Sequence, residues 1–455
     1  MEKINTAILM KESKFDLHEL FFSITQHDST ILFGNETFIR ISGYEKDEII
    51  GKFHNIIRHQ DMPRVIFKKF WEYLKLNKPV VAYVKNKTKD GGFYWVLAVV
   101  FPMEDRYISI RIKPNTAIFT VVREIYFRLL MAEAKSDMDE SQKLFIELLN
   151  AYGFDDYDHF MNEVLLAELL ERKRLLTLNR SQEHDYSYLK SDFKLDVKSL
   201  YDISKVLLNE YEKWFTKIES LKRIKSIFED KGYLLRTLAR DIVFLSLNAS
   251  VSSYKLESDG ETFGVLASDI RTNAKQNDIL IRNVHKTTQS FTESINEMIF
   301  LVSYLSLQME MVTYFIKELL DESSEKLNEN INILNELVMQ YNEKLIKLPN
   351  IFDKLIRINI LNLEELEKQL MYLGYVQVYG IIESSRLNDD RLGFCEIFSQ
   401  LKALISKTSD EISLMKDMAE NFNVDNKNLM NDSKKIEVLL NSFKSQIIKM
   451  KKMEI

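Results

Sequence analysis

Residues Val80–Phe101, VVAYVKNKTKDGGFYWVLAVVF, decide the fold. Val80–Lys87 and Phe93–Phe101 are runs of β-branched and aromatic residues, and Lys89-Asp90-Gly91-Gly92 between them supplies the residues a tight hairpin turn needs. A third run, Tyr107–Lys113, comes after a Glu104-Asp105 turn. Upstream, Phe21–Gln26 and Thr30–Phe33 read as two short strands around His27-Asp28-Ser29. Helical pieces fill the interval. Asn35 caps a short helix running through Phe38 and Ile41 to Gly43, and Glu45–Ile50 adds a turn. Pro63 begins an amphipathic helix with Val65, Phe67, Phe70, Trp71 and Leu74 on its apolar side, which Pro79 ends. Two strands, a helical crossover and three strands predict an α+β domain with a five-stranded antiparallel sheet.

The crossover contains His54-Asn55-Ile56-Ile57-Arg58-His59-Gln60-Asp61-Met62-Pro63, two histidines, an arginine and an aspartate in a segment otherwise fit for burial. Asp61 is expected to accept from the free N–H groups of the helix that Pro63 starts, and the proline ring pre-sets the first-turn backbone. Taken alone, the segment reads better as a helix cap at Asp61 flanked by ordinary surface or core histidines.

Composition narrows the class of protein. The chain has 455 residues, 45% hydrophobic and 29% charged, enough for several cores. A net charge of −6 supplies no broad basic field, which excludes electrostatic recognition of nucleic acid. The single cysteine, Cys395, rules out an internal disulfide, a cysteine-rich zinc site and an iron–sulfur cluster, and fits a cytoplasmic home. The N-terminus lacks the plan of a signal peptide, and no membrane span is expected. Four of the five prolines (Pro63, Pro79, Pro102, Pro114) and five of the twelve glycines (Gly34, Gly43, Gly51, Gly91, Gly92) fall in the first 114 residues. The remaining chain is therefore suited to long helices, whose interiors both residues weaken.

Five segments, Asn35-Glu36-Thr37-Phe38, Ile41-Ser42-Gly43-Tyr44, the His54–Pro63 run, Val84-Lys85-Asn86-Lys87 and Tyr94-Trp95-Val96, together resemble the PAS domain of bacterial aerotaxis receptors over about residues 20–113. The resemblance implies a non-covalently held FAD through which cell redox state is read. It assigns flavin contact to Arg58, His59 and Asp61, and also to Asn35, His54, Trp71, Asn86 and Trp95. Val80 stands where those receptors often carry a tryptophan. Residue chemistry agrees: a flavin needs an apolar slot, aromatic neighbours and a few donors, and Arg58, His59, Asn86 and Trp95 are donors. Haem is the second candidate, with His54 or His59 as axial ligand. Photochemistry through a cysteinyl adduct is excluded, since the domain has no cysteine. No metal site and no catalytic constellation is found.

Beyond the domain, Phe119, Val122, Ile125, Tyr126 and Leu129 at helical spacing predict a connector, with Gly153–Asp158 between two amphipathic pieces and Asn179–Lys190 as a loop. Membrane-bound aerotaxis receptors have a transmembrane hairpin after this point; here Arg123, Glu124 and Arg128 interrupt the apolar run. Val284, Phe291, Met298, Leu305, Val312 and Leu319 recur every seven residues, with Ile295, Val302, Met309 and Ile316 at the matching fourth positions, a heptad seam. Pro349-Asn350 breaks the helix and starts another.

Leu245–Arg271 resembles the kinase-control tip of methyl-accepting chemotaxis proteins in Leu247-Asn248-Ala249, Gly260, Phe263, Val265, Ala267, Ile270 and Arg271. Ser252 and Lys255 replace the family's glutamate and arginine. Ile382–Ile397 restores Glu383, Arg386, Gly393 and Phe394 at the tip's positions, and the two segments align without a gap, 131 residues apart from Phe263 to Phe394. An internal duplication is the expectation, with Asp259 and Asp390 at helix-to-helix turns. Methylation pairs and a tethering C-terminal pentapeptide are not recognisable.

The expected organisation is an N-terminal cap at 1–20 and a PAS sensor at 21–114. A helical connector at 115–192 and a hairpin at 193–348 with its tip near 259 come next, then a second hairpin at 349–455 with its tip near 390. By resemblance this is a non-enzymatic, cytoplasmic redox-taxis sensor acting on the chemotaxis histidine kinase and coupling protein, as a homodimer or higher assembly. Lys255, Phe263, Glu383, Arg386 and Phe394 are its signalling-tip residues. The alternative is a cofactor-free PAS protein whose degenerate bundle modulates other receptors.

Overall fold

The computed structural model describes residues 11–135, 137–178, 192–254, 260–321, 325–386 and 393–451. Strands β1 (Phe21–Gln26), β2 (Ile31–Gly34), β3 (Val80–Lys87), β4 (Phe93–Pro102) and β5 (Arg106–Ile112) form one antiparallel sheet in the order β2-β1-β5-β4-β3. The crossover comprises α1 (Glu36–Ser42), α2 (Lys46–Ile49), a single 3-10 turn (His54–Ile57) and α3 (Arg64–Lys75). Asn35 caps α1 by accepting from Phe38 N, and Gly43 closes it in the left-handed conformation, φ 74°, that a glycine adopts without strain.

The chain falls into two compact units. The first holds the sheet domain, the connector helices α4 (Ala117–Glu133), α5 (Met138–Ala151) and α6 (Tyr157–Leu178), and parts of the long helices at 299–342 and from 438 onward. Its sheet is buried on both faces, which is why β3 and β4 read as continuous apolar runs rather than alternating ones. One face looks into the crossover. The other is covered by the connector and by helical residues. Phe119 stacks on Tyr83 and edges onto Trp95, and Tyr126 and Tyr157 donate to the carbonyls of Tyr83 and Val81. Tyr304 and Phe315 pack edge-on against Phe101 and Phe22, with ring centroids 4.9 and 5.0 Å apart.

Three carboxylates tie this unit together. Glu133 of α4 accepts from Arg64 N and Val65 N at 2.8 and 2.9 Å, and so caps α3 from a distant element. The sequence points to Asp61 for that cap, but its carboxylate instead pairs with Lys85 Nζ at 2.6 Å; Pro63 occupies the cap position and makes no side-chain bond. Glu168 of α6, fully buried, accepts from Tyr83 Oη, Asn115 N, Thr116 N and Thr116 Oγ1. Glu310 pairs at 2.7 Å with buried Arg172, which also donates to the carbonyls of Leu17 and His18 ahead of β1.

The second unit, Thr216–Met298 with Glu343–Glu437, is all helical. Helices α7 (Asp192–Tyr254), α8 (Gly260–Asp321), α10 (Leu348–Ser384) and α11 (Phe394–Lys451) build it, with α7, α8 and α11 running into the first unit as well, and α9 (Glu325–Leu345) lies almost wholly in the first. Every heptad residue named on α8 is buried. Phe228, Phe291, Phe352 and Phe422 form an aromatic layer in the second unit. Helix α8 also holds a window of mean hydropathy 1.5, apolar and long enough to cross a membrane by composition, and 72% of that window is buried within the protein. Packing of Tyr304 and Phe315 on the sheet, in addition to the heptad seam, accounts for that apolarity. The loop at 179–190, Lys255 and the turns expected at Asp259 and Asp390 lie outside the described residues.

Candidate functional site

Between the crossover and the inner face of the sheet lies a cavity of about 130 Å³. Alternation along the strands points Ser23, Thr25, Val84, Asn86, Ala98, Val100, Tyr107, Ser109 and Arg111 into it. Helix α3 supplies Phe67, Phe70, Trp71 and Leu74, and the 3-10 turn and its exit supply His54, Asn55 and Arg58.

Arg111, on the central strand β5, is the site's dominant charge. It is buried, donates through Nη2 to Ser23 Oγ at 2.9 Å, and lies 2.7 Å from His54 Nε2. Burial lowers its pKa to about 10, so it stays cationic at neutral pH, and the ionisable group drawing it upward is Tyr94. Its Nη1, the Asn86 amide nitrogen and the Ser109 hydroxyl are buried without a completed hydrogen bond. Burial, then the charge of Arg111, hold His54 far down at about 3, so its ring is neutral and Nε2 accepts from the guanidinium. Arg58 spans the rim, its guanidinium 4.0 Å over the Phe67 ring, with its pKa lowered by burial.

Of the residues singled out in the sequence, His54, Arg58, Trp71 and Asn86 are brought together here. Asn35, His59, Asp61 and Trp95 are not among the lining residues. Asn35 spends its amide on Phe22 N, Phe38 N and the Leu20 carbonyl. His59 is buried against Phe93 and accepts from Asp61 N through Nδ1; burial, then Lys85, lower its pKa. Trp95 faces α4 on the opposite side of the sheet. Val80 is buried and absent from the lining. Cys395 sits at the start of α11, is exposed, and is not among the lining residues. Arg111 and Ser109 escape a reading of the sequence; the available signal is a serine and an arginine at alternate positions among Ile108, Ile110 and Ile112 of a central strand.

Spare buried donors, a cationic guanidinium and aromatic walls suit a planar ligand rich in acceptors, which is the chemistry of a flavin. The histidines suit haem less well: His54 Nε2 is engaged by Arg111, and His59 Nδ1 by Asp61. Among the described residues no group of three or more His, Cys, Asp or Glu could hold a metal ion.

A five-stranded antiparallel sheet in this order, with a helical crossover laid over a cavity, defines the first domain as a PAS domain. The family described as PAS fold matches residues 31–110. Over 109 residues the chain is 38% identical to the aerotaxis receptor of Escherichia coli, covering 23% of this chain and 22% of that one. The biofilm dispersion protein BdlA of Pseudomonas aeruginosa is 30% identical over 84 residues, 17% of this chain and 19% of its own. The nitrogen fixation regulatory protein of Klebsiella oxytoca is 26% identical over 81 residues, 18% of this chain and 16% of its own. The chain thus spans about a fifth of these relatives' length, and the long helical region lies largely outside the matched segments. Among solved structures, the light state of the blue-light photoreceptor Aureochrome1 LOV covers 22% of this chain and 86% of its own, at 20% identity and TM-score 0.21.

Proposed function

We propose that the PAS domain holds FAD in this cavity and that the chain is a redox-taxis sensor working from the cytoplasm. Its helical region acts on a chemotaxis histidine kinase and coupling protein. The observation that carries the reading is Arg111: a buried guanidinium with no carboxylate partner among the described residues, one nitrogen unspent, beside the unspent Asn86 amide and Ser109 hydroxyl. Burying such groups is costly unless a ligand completes them. The similarity to an aerotaxis receptor supports the same reading.

Flavin, when bound, supplies reversible electron transfer. The chain's own residues do the rest. Arg111, Asn86 and Ser109 would hold the group, and Phe67, Phe70, Trp71 and Arg58 would exclude water from it. Arg111, which would hold the flavin, shares its Nη2 with neutral His54 and Ser23 of β1, so a displacement of the guanidinium reaches β1. On β3, Asn86 faces the cavity while Tyr83 reaches Glu168 on the far side, so a shift of this strand reaches α6 directly. Downstream, Phe263 and Phe394 pack at 4.2 Å and Glu383 pairs with Arg386 at the end of α10, the positions a kinase-contacting tip would use.

One observation favours the second reading, a cofactor-free PAS modulating other receptors. At about 130 Å³ the cavity is smaller than the roughly 300–1,000 Å³ of ordinary ligand pockets, so a flavin requires the cavity to widen. The spectrum of the purified protein decides. Flavin absorbance that survives gel filtration is expected. Arg111→Ala should weaken retention about tenfold or more, the value of hydrogen bonds to a charged group, with circular dichroism unchanged. A colourless protein that takes up no added FAD sinks the flavin reading.

A further inference from the structure

The burial pattern of the helical region repeats itself along the chain. Every buried residue of α11 from Phe394 to Met450 has a buried residue 131 positions earlier on α8; Phe394 and Phe263, Met415 and Val284, and Leu440 and Met309 are instances. The buried residues of α10 from Leu363 to Ser384 repeat those of α7 from Gly232 to Ser253 at the same offset.

Corresponding residues also meet one another. In the second unit the rings of Phe263 and Phe394 lie 4.2 Å apart and those of Phe291 and Phe422 5.1 Å apart. In the first unit the Tyr211 hydroxyl lies 3.2 Å from Asn342 Oδ1 and donates to it. A residue facing its own counterpart is the mark of a two-fold interface. One substitution pair shows the two copies diverging in step. Gly380 and Phe398 stand where the first copy has Ala249 and Ala267, and a Cβ on Gly380 would run into the Phe398 ring. The larger residue on one helix is matched by the smaller on its neighbour.

We infer that α7–α8 and α9–α11 are two copies of one hairpin paired about an internal two-fold, so that a single chain supplies both halves of its bundle. In this arrangement each hairpin is covered by the chain's own other copy. The copies differ on the outside. Tyr304 and Phe315, which pack on the PAS sheet, correspond to Lys435 and Gln446 on α11. The PAS sheet packs on both copies by different residues, on Tyr304 and Phe315 of α8 and, through Phe101, on Tyr341 of α9. This inference rests on bundle packing and is independent of the flavin reading.

Cross-linking of the full chain tests it. In a Cys395→Ser background, Phe291→Cys with Phe422→Cys and a short bismaleimide should give an internal link at single-chain mass, and Phe291→Cys alone should give no two-chain product. A two-chain product from the single variant, or as the main product of the double, overturns the inference. Should these core cysteines unfold the bundle, a second series remains. Gly380→Ala should lower the thermal midpoint, and adding Phe398→Ala, which rebuilds the Ala249/Ala267 pair, should restore most of it. A double variant less stable than Gly380→Ala alone counts against the duplication.

Discussion

Arg111 and His54 show how one neighbour sets another's chemistry. The imidazole is buried and faces a guanidinium, so protonating it costs both hydration and charge repulsion. Its ordinary value is 6.5 and its value in the fold about 3. Above pH 6.5 both folded and unfolded forms are neutral and the full stability is present. As pH falls from 6.5 toward 3, the unfolded chain takes up a proton that the folded one refuses, so stability drops by up to about 1.4 kcal/mol per pH unit. His54→Asn should flatten that slope by about one proton between about pH 6 and 4, measured by denaturant unfolding of the two proteins side by side. An unchanged slope would mean that His54 is solvated. The pairing was not legible in the sequence because its partners lie 57 residues apart and meet only through the sheet order.

At the scale of the element, helix α3 is the wall that carries Phe67, Phe70 and Trp71, and its start is held by Glu133, which nothing in the local sequence favours over Asp61. Local cap rules favour the nearest carboxylate; here Lys85 claims Asp61 and a residue 69 positions away takes the vacated N–H groups. Glu133→Ala should cost about 0.5–2 kcal/mol and speed hydrogen exchange at the Arg64 and Val65 amides. Exchange unaltered at those two amides would remove Glu133 from that role. Glu168→Ala is the harsher change, since it strands the Tyr83 hydroxyl, two amides and the Thr116 hydroxyl; about 3 kcal/mol or more is expected from thermal or denaturant unfolding. The strands themselves were legible, because Gly91-Gly92 and Pro102 punctuate them. Burial on both faces did not hide them, since β-branched runs of this length between turn residues have few other homes. Which face met the cavity was not legible for the same reason: with no alternation on β4, inward residues cannot be told from outward ones, and Trp95, expected to line the cavity, lies on the other side of the sheet.

At the scale of the molecule, the heptad seam on α8 was legible and its neighbours were not. Periodicity reports that a helix has a buried stripe and is silent about whether the covering helix belongs to the same chain. In the fold, Phe291 of α8 packs against Phe422 of α11, its counterpart 131 residues on. Joining both hairpins in one chain has a genetic consequence. Receptors assembled from two chains form mixed pairs when intact and damaged copies share a cell, and the damaged copy then spoils its partner. On the paired-hairpin inference both halves of a bundle are translated together, and a chain carrying Arg111→Ala should then stay out of the bundle of an intact one. Cells making equal amounts of both should keep about half of their flavin-loaded bundles rather than a quarter, and the mutant allele should behave as recessive.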